Sequence, residues 1–467
     1  MNTRLIRSMA VLLCITLAPS AIAKELTLWE IAANRHAKIL CSGIFLSGRT
    51  AEDILTNDNG VPDPSTLNFI VDTDTKKVTI LLQDGFKAVS VFREGCGCTN
   101  LYDVPEEDVR NQPIGDIPLY DTLSDEQPWP LGEGDSPITA KISRRKMQKA
   151  IDYAFDEPSD DMRRGTRAIV VVHQGKIVAE HYANGYSRHQ PLIIWSMGKS
   201  IISTLTAILV KQDKLDIHAP APVPEWSDAN DPRHAITTDQ LLRMSSGLEF
   251  VEEYSGALVD VVIMLYGQPD TAGFTASHPL EADPDSKWYY SSGTTNVISR
   301  IIKQSLDNDL ATYAAFPNIE LFNKIGMHNT TMEMDAAGTF IGSSFTHSSA
   351  RDMARFGLFT MQDGVWNGER ILPEGWMNYA RTPTAHVPKN EYGAQFWLNH
   401  GDEDDKKNRR WPSLPHDAFG LSGFQGQSVV SIASRDTVIV RLGLSSSQDA
   451  WSQDEFMRLV LKALPKS

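Results

Sequence analysis

The sequence is poor in cysteine and in positive charge, and it has no long apolar run after its first residues. Four cysteines occur in 467 residues, and 59 acidic residues outnumber 44 basic ones, which gives a formal net charge of −15. So acidic a chain does not attract a phosphate backbone, which argues against nucleic-acid binding. After residue 23 no run reaches the roughly 18 apolar residues that span a bilayer, so we expect no transmembrane segment in the mature chain.

Two common catalytic motifs are also missing. The sequence contains no Gly-x-Ser-x-Gly, which a Ser-His-Asp hydrolase would show, and no His-Glu-x-x-His, which a zinc peptidase would show. His173 lies in a strand-like run and His189 shortly precedes Ile194, and we interpret both as structural or surface histidines. We therefore expect neither a metal nor a cofactor.

Residues 1–23 have the pattern of a secretory signal peptide. Two arginines precede an apolar core at 9–17, and Ala21 and Ala23 form a small-residue cleavage site. This pattern predicts export, with a periplasmic or secreted localisation.

The mature chain keeps Cys41, Cys96 and Cys98. Export allows one disulfide, from Cys41 to either Cys98 or Cys96, with one thiol left over. Metal binding by Cys96 and Cys98 is the alternative, but no second Cys or His pair stands at ligand spacing.

Composition and patterning divide the mature chain into three parts. They are a small N-terminal α+β extension at 24–111, a linker rich in Pro, Asp and Gly at 112–136, and a main domain at 137–467. In the extension, an amphipathic helix at 28–40 is followed by strand-like runs at 67–72, 77–82 and 86–92.

Hairpins are predicted near both ends of the main domain. One comprises 168–172 and 176–182, and the other comprises 427–433 and 437–442, before a last helix at 451–464. The patterning between them is mostly helical. This order predicts an α/β (α+β) fold, in which an antiparallel sheet built from both ends of the domain packs against an inserted helical subdomain. A site is expected at their junction.

The strongest chemical signal lies at 195–200, just before the apolar run 201–210. A helix that starts at Ser196 puts Lys199 three residues further on the same face, so that the amine reaches the serine hydroxyl. A desolvated lysine with a lowered pKa can take the proton that serine must lose to become a nucleophile. The helix start also offers free N–H groups and a positive dipole end.

A second Ser-x-x-Lys is formed by Ser143 and Lys146, which stand among other lysines and arginines. We interpret it as a solvated basic helix start. The Ser196 pair is flanked by apolar residues on both sides, which indicates a buried site. The alternative for that pair is a serine N-cap with a surface lysine.

Two later stretches supply what a serine and lysine pair needs. Tyr290 precedes a Ser-Ser-Gly turn before a helix, and the turn can direct its hydroxyl and that of Ser292 inward as a second acid or base. Gly423 belongs to a glycine-flanked strand edge at 420–427, where backbone N–H groups can approach a substrate. Taken alone, these stretches are a packed aromatic and a flexible turn.

In this order and spacing the three motifs resemble those of the penicillin-recognising serine hydrolases, the serine β-lactamase superfamily. The similarity runs from about residue 129 to residue 464 and includes the passages 241–248, 350–357 and 392–397. It is greatest to the class C β-lactamase and carboxylesterase branch, in particular to the 6-aminohexanoate-dimer hydrolase type. The resemblance implies a β-lactamase/transpeptidase-like fold and a covalent acyl-enzyme formed on a small-molecule ester or amide.

Carried over by position, the resemblance implies Ser196 as the acylated nucleophile, Lys199 as its base and Tyr290 as the proton shuttle to the leaving group. The oxyanion hole would be the backbone N–H groups of Ser196 and Phe424. Tyr254 is the nearest match to a tyrosine that contacts the scissile amide in the dimer-hydrolase type, and the alternative is a surface loop tyrosine.

This chain departs from the resemblance in two places. Leu421-Ser422-Gly423 stands where β-lactamases and peptidases have Lys-Thr-Gly or His-Thr-Gly, so this motif lacks the cation that anchors a substrate carboxylate. Ser292 stands where the Tyr-x-Asn motif has an amide side chain. Both changes favour small esters or amides over penicillins. The alternatives are a β-lactamase or D-Ala-D-Ala peptidase of the cell wall, and an inactive binding or sensor relative, against which the retained serine, lysine and tyrosine argue.

Overall fold

The computed structural model describes residues 27–61, 63–119, 123–159, 161–254, 258–401 and 405–465. The segment interpreted as a signal peptide, 1–23, lies outside the described residues. Within the described part of the chain, no helix is both long enough and apolar enough to cross a membrane.

The described chain alternates between helical and strand-rich stretches. The helices are α1 (Leu28–Phe45), α2 (Ala51–Asn57), α3 (Glu106–Arg110), α4 (Arg144–Phe155), α5 (Gly198–Lys211), α6 (Thr238–Leu242), α7 (Asp260–Gly267), α8 (Thr271–Ala276), α9 (Ser292–Gln304), α10 (Leu310–Pro317), α11 (Asn323–Ile325), α12 (Ala350–Met361), α13 (Trp376–Ala380) and α14 (Gln453–Ala463). The strands are β1 (Phe69–Asp72), β2 (Lys77–Leu81), β3 (Lys87–Arg93), β4 (Gly97–Asn100), β5 (Thr166–His173), β6 (Lys176–Tyr182), β7 (Leu192–Ile193), β8 (Thr330–Met332), β9 (Thr346–Ser348), β10 (Val365–Trp366), β11 (Glu369–Arg370), β12 (Trp397–Leu398), β13 (Ala418–Gly423), β14 (Gln427–Ile432) and β15 (Thr437–Gly443).

The main sheet has six strands in the order β12-β13-β14-β15-β5-β6, and every neighbouring pair is antiparallel. Strand β15, near the C-terminus, pairs with β5 from the start of the domain, so that Val440 lies opposite Val170. The predicted antiparallel sheet built from both ends of the domain is confirmed. The mixed α/β fold is confirmed with it.

Alternation along β5 divides the core into two layers. Ile169 and Val171 pack in one cluster with residues of α4 and α14, whereas Val170 and Val172 pack in another with residues of α5 and α12. Successive side chains of a strand point to opposite faces, so both faces of the sheet are covered by helices. The helix that follows the candidate nucleophile is therefore buried in the largest core.

The N-terminal extension forms a four-stranded meander, β1-β2-β3-β4, under α1. Strand β4 was not predicted, and α1 continues to Phe45 instead of ending near residue 40. The disulfide between Cys41 of α1 and Cys98 of β4 joins this helix to that strand. Cys96 is free and buried, and burial raises the pKa of its thiol to about 11.

The extension shares one apolar cluster with the main domain. That cluster joins residues of α1 and β2 to Trp195, Phe250 and Phe345. The segment that follows the extension contacts the main domain through Glu133, which is buried and pairs with Arg351 and Arg355 of α12 at 2.7 Å each.

Candidate active site

Ser196 is the middle residue of a 3-10 turn (Trp195–Met197), and α5 begins only at Gly198. The predicted helix start at Ser196 is thus a tighter turn that leads into the helix. Trp195 has φ of 48°, which a bulky residue adopts only where its surroundings impose it. Its ring packs against Phe345 and Phe424, with ring centres 5.9 and 5.8 Å apart. Ser196 itself is only half-buried, so a substrate can reach it.

Lys199 is fully buried one turn later, with its amine directed at the serine. Its Nζ lies 3.1 Å from Ser196 Oγ, and it donates to Ser292 Oγ at 2.9 Å and to the carbonyl oxygen of Ser343 at 3.1 Å. A neutral amine has two N–H groups. Ser292 and Ser343 occupy both, so the lone pair is left for the hydroxyl proton of Ser196, as a general base requires.

The environment of Lys199 favours the neutral amine. Burial lowers the pKa of Lys199 from 10.5 to about 8, and the negative charge of Glu252 opposes part of that shift. Desolvation penalises the charged form of a lysine, and a nearby carboxylate favours it. About a tenth of the amine is therefore unprotonated at pH 7, far more than for a lysine with an ordinary pKa.

Tyr290 lies on the other side of the same hydroxyl. Its ring centre is 4.8 Å from Lys199 Nζ, and its hydroxyl lies near the side chain of Ser196. Burial raises the pKa of Tyr290, and Glu252 raises it further, while the contact with Ser196 opposes the rise. Tyr290 thus keeps its proton at neutral pH and can donate it to a departing group.

Ser292 does not line the cleft as expected, because its side chain is fully buried behind Lys199. Its hydroxyl donates to Glu252 Oε1 at 2.5 Å, and its backbone N–H donates to Glu252 Oε2 at 2.7 Å. Since its proton is directed to Glu252, its oxygen accepts from Lys199. Ser292 therefore holds the amine of Lys199, and its side chain lies behind that residue instead of in the cleft.

Glu252 is a site residue that the sequence did not reveal. Besides the two bonds from Ser292, it accepts a hydrogen bond from the hydroxyl of Tyr254 at 3.0 Å. Three donors converge on this side chain, an arrangement that a carboxylate matches. One glutamate in an irregular stretch has no spacing signal, so only the folded chain reveals it.

Tyr254 and Phe424 meet at the entrance of the cleft. They are 46% and 42% exposed, and their ring centres lie 5.1 Å apart. Two exposed aromatic rings in contact form an apolar wall beside Ser196. Tyr254 is therefore close to the site, with its hydroxyl on Glu252.

Gly423 ends β13 directly beside the turn that contains Ser196. A Cβ at this position would lie 2.5 Å from the carbonyl oxygen of Ile194, so that only glycine allows this approach. Gln427 of β14 donates to the carbonyl of Ile193 at 2.5 Å and fastens the same edge to the strand before the turn. The Gly423 and Phe424 backbone is thus brought next to Ser196.

A cation from another part of the chain lies beside the motif at 421–423. Arg410 Nη2 lies 3.5 Å from Ser422 Oγ, and its guanidinium is 3.7 Å from the ring centre of Trp397. Trp397 stacks on Tyr290 with ring centres 5.5 Å apart. The motif itself has no cation, as its sequence states, and the loop before β13 places Arg410 next to Ser422, with its Nη1 3.6 Å from Glu391 Oε2.

The remaining candidates lie elsewhere. Ser143 caps α4, whereas Lys146 is exposed. His173 is buried in β5 with its Nδ1 3.0 Å from Thr437 Oγ1, and His189 accepts from its neighbour Arg188. In the described part of the chain, no group of three or more His, Cys, Asp or Glu is arranged to hold a metal ion.

This fold and this serine, lysine and tyrosine cluster define a class of serine hydrolase. The model of the Beta-lactamase family matches residues 151–461, and the protein belongs to that family. It is a serine hydrolase, and a curated hydrolase is among its relatives.

Individual relatives agree with this assignment. The chain is 22% identical over 297 residues to the 6-aminohexanoate-dimer hydrolase of Paenarthrobacter ureafaciens. This alignment covers 59% of this chain and 72% of that protein. A Bacillus anthracis structure assigned to the same hydrolases aligns with a TM-score of 0.55 at 21% identity, over 76% of this chain and 91% of that one. A family VIII carboxylesterase aligns with a TM-score of 0.52 at 15% identity, over 69% of this chain and 98% of that one. At these identities the structural alignments show the shared fold.

Proposed function

We propose that the protein is an exported serine hydrolase that cleaves small esters or amides through an acyl-enzyme on Ser196. The observation that carries the proposal is the 3.1 Å contact between Lys199 Nζ and Ser196 Oγ, made by a lysine with a lowered pKa. Export rests on the pattern of residues 1–23 alone.

In acylation, neutral Lys199 takes the hydroxyl proton of Ser196, and Oγ attacks the carbonyl carbon. The oxyanion accepts hydrogen bonds from the backbone N–H groups of Ser196 and Phe424, where β13 reaches the turn. Tyr290 then gives its proton to the departing oxygen or nitrogen, and the protonated amine of Lys199 restores the proton of Tyr290. The carbonyl carbon has gained a bond to Ser196 and lost its bond to the leaving group.

Deacylation follows the same path in reverse. A water enters from the side that the leaving group has vacated, and Tyr290 and Lys199 take its proton as it attacks the acyl carbon. The carbonyl re-forms as Ser196 Oγ departs and takes up that proton. Glu252 and Ser292 fix the amine throughout, because they determine which way its N–H groups point.

The proposed substrates have an acyl group in contact with the aromatic wall of Tyr254 and Phe424. Arg410 adds a preference for substrates that carry a carboxylate on the leaving group, because it lies beyond Tyr290 on the face of Trp397. The carboxylesterase and the dimer hydrolase among the relatives support ester and amide substrates.

The test is hydrolysis of a panel of p-nitrophenyl esters, linear amides and a chromogenic cephalosporin. We expect Ser196→Ala to abolish ester hydrolysis and Ser143→Ala, the matched variant at the other Ser-x-x-Lys, to leave it unchanged. Activity that survives in the Ser196 variant and is lost in the Ser143 variant would overturn the assignment.

A further inference from the structure

The N-terminal extension lies outside the part of the chain that matches the family, yet one of its charged residues is buried next to the site. Lys38 of α1 is 1% exposed, and its Nζ lies 2.9 Å from Glu333 Oε2 of the main domain. It also donates to the carbonyl of Cys98 and lies 4.7 Å from the ring centre of Phe345. Its charge therefore sits between the disulfide and the loop 341–345.

Glu333 is the centre of this contact. It is fully buried, and its Oε1 accepts from Ser42 Oγ at 2.8 Å and from the backbone N–H of Cys98 at 2.6 Å. Both donors belong to the extension. Its own backbone holds the loop 341–345, because its N–H donates to the carbonyl of Phe345 and its carbonyl accepts from Ile341, each at 2.9 Å.

The loop 341–345 contacts Lys199 and the residue directly before Ser196. The carbonyl of Ser343 accepts from Lys199 Nζ at 3.1 Å, and the backbone N–H of Ser343 donates to Asn296 at 3.1 Å. Phe345 packs against Trp195, the strained residue directly before Ser196. A shift of this loop would therefore move the base and the nucleophile together.

A buried ion pair is a poor source of stability, because desolvation of the two charges offsets most of their attraction. Well-packed neutral residues at the same positions are often as stable. The pair of Lys38 and Glu333 instead fixes one position of the loop, since both charges must be satisfied at once. Catalysis requires that the reacting groups be held in one position, and a loop fixed in this way can hold them.

We propose that Lys38 is a positioning residue for the catalytic pair, and that the extension serves to hold the loop 341–345 against Ser196 and Lys199. The inference rests on the proposed function, because it takes these two residues as nucleophile and base. The extension is then part of the working enzyme and acts through Phe345 and the carbonyl of Ser343.

The experiment compares the full-length wild type with the double variant Lys38→Met/Glu333→Gln, in which both charges are removed and no lone charge is left buried. We expect kcat for a p-nitrophenyl ester to fall roughly 10- to 100-fold, because a displacement of about 1 Å in a catalytic group costs that much. KM should change less than about 3-fold, since the cleft wall is untouched. The rate of Ser196 labelling by a fluorophosphonate should fall with kcat.

The matched control is Lys77→Met/Glu106→Gln, which neutralises a half-exposed pair of the same extension with an N to O distance of 3.0 Å. It should leave kcat and labelling unchanged. If the Lys38 double variant does not fold, Phe345→Leu keeps the ion pair and removes the ring that contacts Trp195, and the same loss of kcat is expected.

The outcomes distinguish a failure of the positioning role from a failure of the proposed function. Unchanged kcat and labelling in a folded Lys38 double variant, or in Phe345→Leu, would overturn the positioning role and leave the proposed function standing. A wild type whose Ser196 is never labelled would overturn the proposed function and this inference with it.

Discussion

Replacing Glu252 with glutamine tests the electrostatic part of the mechanism. The carboxylate is separated from the amine of Lys199 by the single hydroxyl of Ser292, which puts the charges roughly 5 Å apart. At an effective dielectric constant of about 20 to 80, their attraction is about 0.8 to 3.3 kcal/mol, which corresponds to roughly 0.6 to 2.4 pKa units. Glu252 is half-buried, so we expect a shift near the lower end, of about one unit.

The direction in which the pH profile should move follows from the role of Lys199 as a base. Its pKa is lowered to about 8, and Glu252 opposes that lowering. The acidic limb of kcat/KM, which reports the free enzyme, should therefore lie near 8 in the wild type, with activity falling as the pH drops below it. In Glu252→Gln the amine loses a stabilising charge, so the limb should move to lower pH, to about 7.

The assay is ester hydrolysis from about pH 5.5 to 9.5, with the rate of fluorophosphonate labelling over the same range as a second readout. The control is Glu253→Gln, which removes an exposed charge from the adjacent position. It should leave the limb in place. A limb that stays near 8 in the Glu252 variant, or moves to higher pH, refutes the reasoning.

Three further predictions follow from buried or linked groups. Lys199→Met should abolish hydrolysis. The folded wild type pays for a buried charged amine below pH 8, the lowered pKa of Lys199, so its unfolding free energy relative to this variant should rise by about 2 kcal/mol between about pH 7.5 and 9.5 in urea titrations. No such rise would refute the lowered pKa. Cys41→Ser opens a disulfide with a sequence separation of 57 and should lower the unfolding free energy by about 4 kcal/mol. Cys96→Ser, at the free thiol, should lower it much less. Equal losses would argue against the pairing of Cys41 with Cys98. Arg410→Gln should lower kcat/KM by roughly 10- to 100-fold for an ester with a carboxylate on its leaving group, and much less for the matched uncharged ester. Arg370→Gln on remote β11 is the control and should change neither value. Equal losses on both esters would show that Arg410 does not recognise the substrate.

Local motifs made much of the site predictable. Ser196 and Lys199 are three residues apart, and helical geometry alone brings such a pair together. The hairpins at both ends of the main domain follow from alternating apolar runs, and β5, β6, β14 and β15 lie within two residues of the predicted segments. The fine geometry of the turn was less predictable, because the left-handed φ of Trp195 depends on rings far away in sequence.

Contacts between distant segments explain what the sequence did not reveal. Glu252 reaches Ser292 across 40 positions, and Arg410 reaches Tyr290 only through the ring of Trp397. Neither has a periodicity or a neighbouring partner that would mark it. Ser292 was assigned to the substrate because its motif position was known, while its burial behind Lys199 appears only when α9 packs beside α5.

The most direct measurement of the central claim is the site at which a fluorophosphonate attaches, found by intact mass and peptide mapping of the full-length protein. We expect a single adduct on the peptide that contains Ser196, formed faster as the pH rises toward 8 and beyond, absent in Ser196→Ala and unchanged in Ser143→Ala. An adduct on Ser143, or no adduct on a folded wild-type protein, would contradict it.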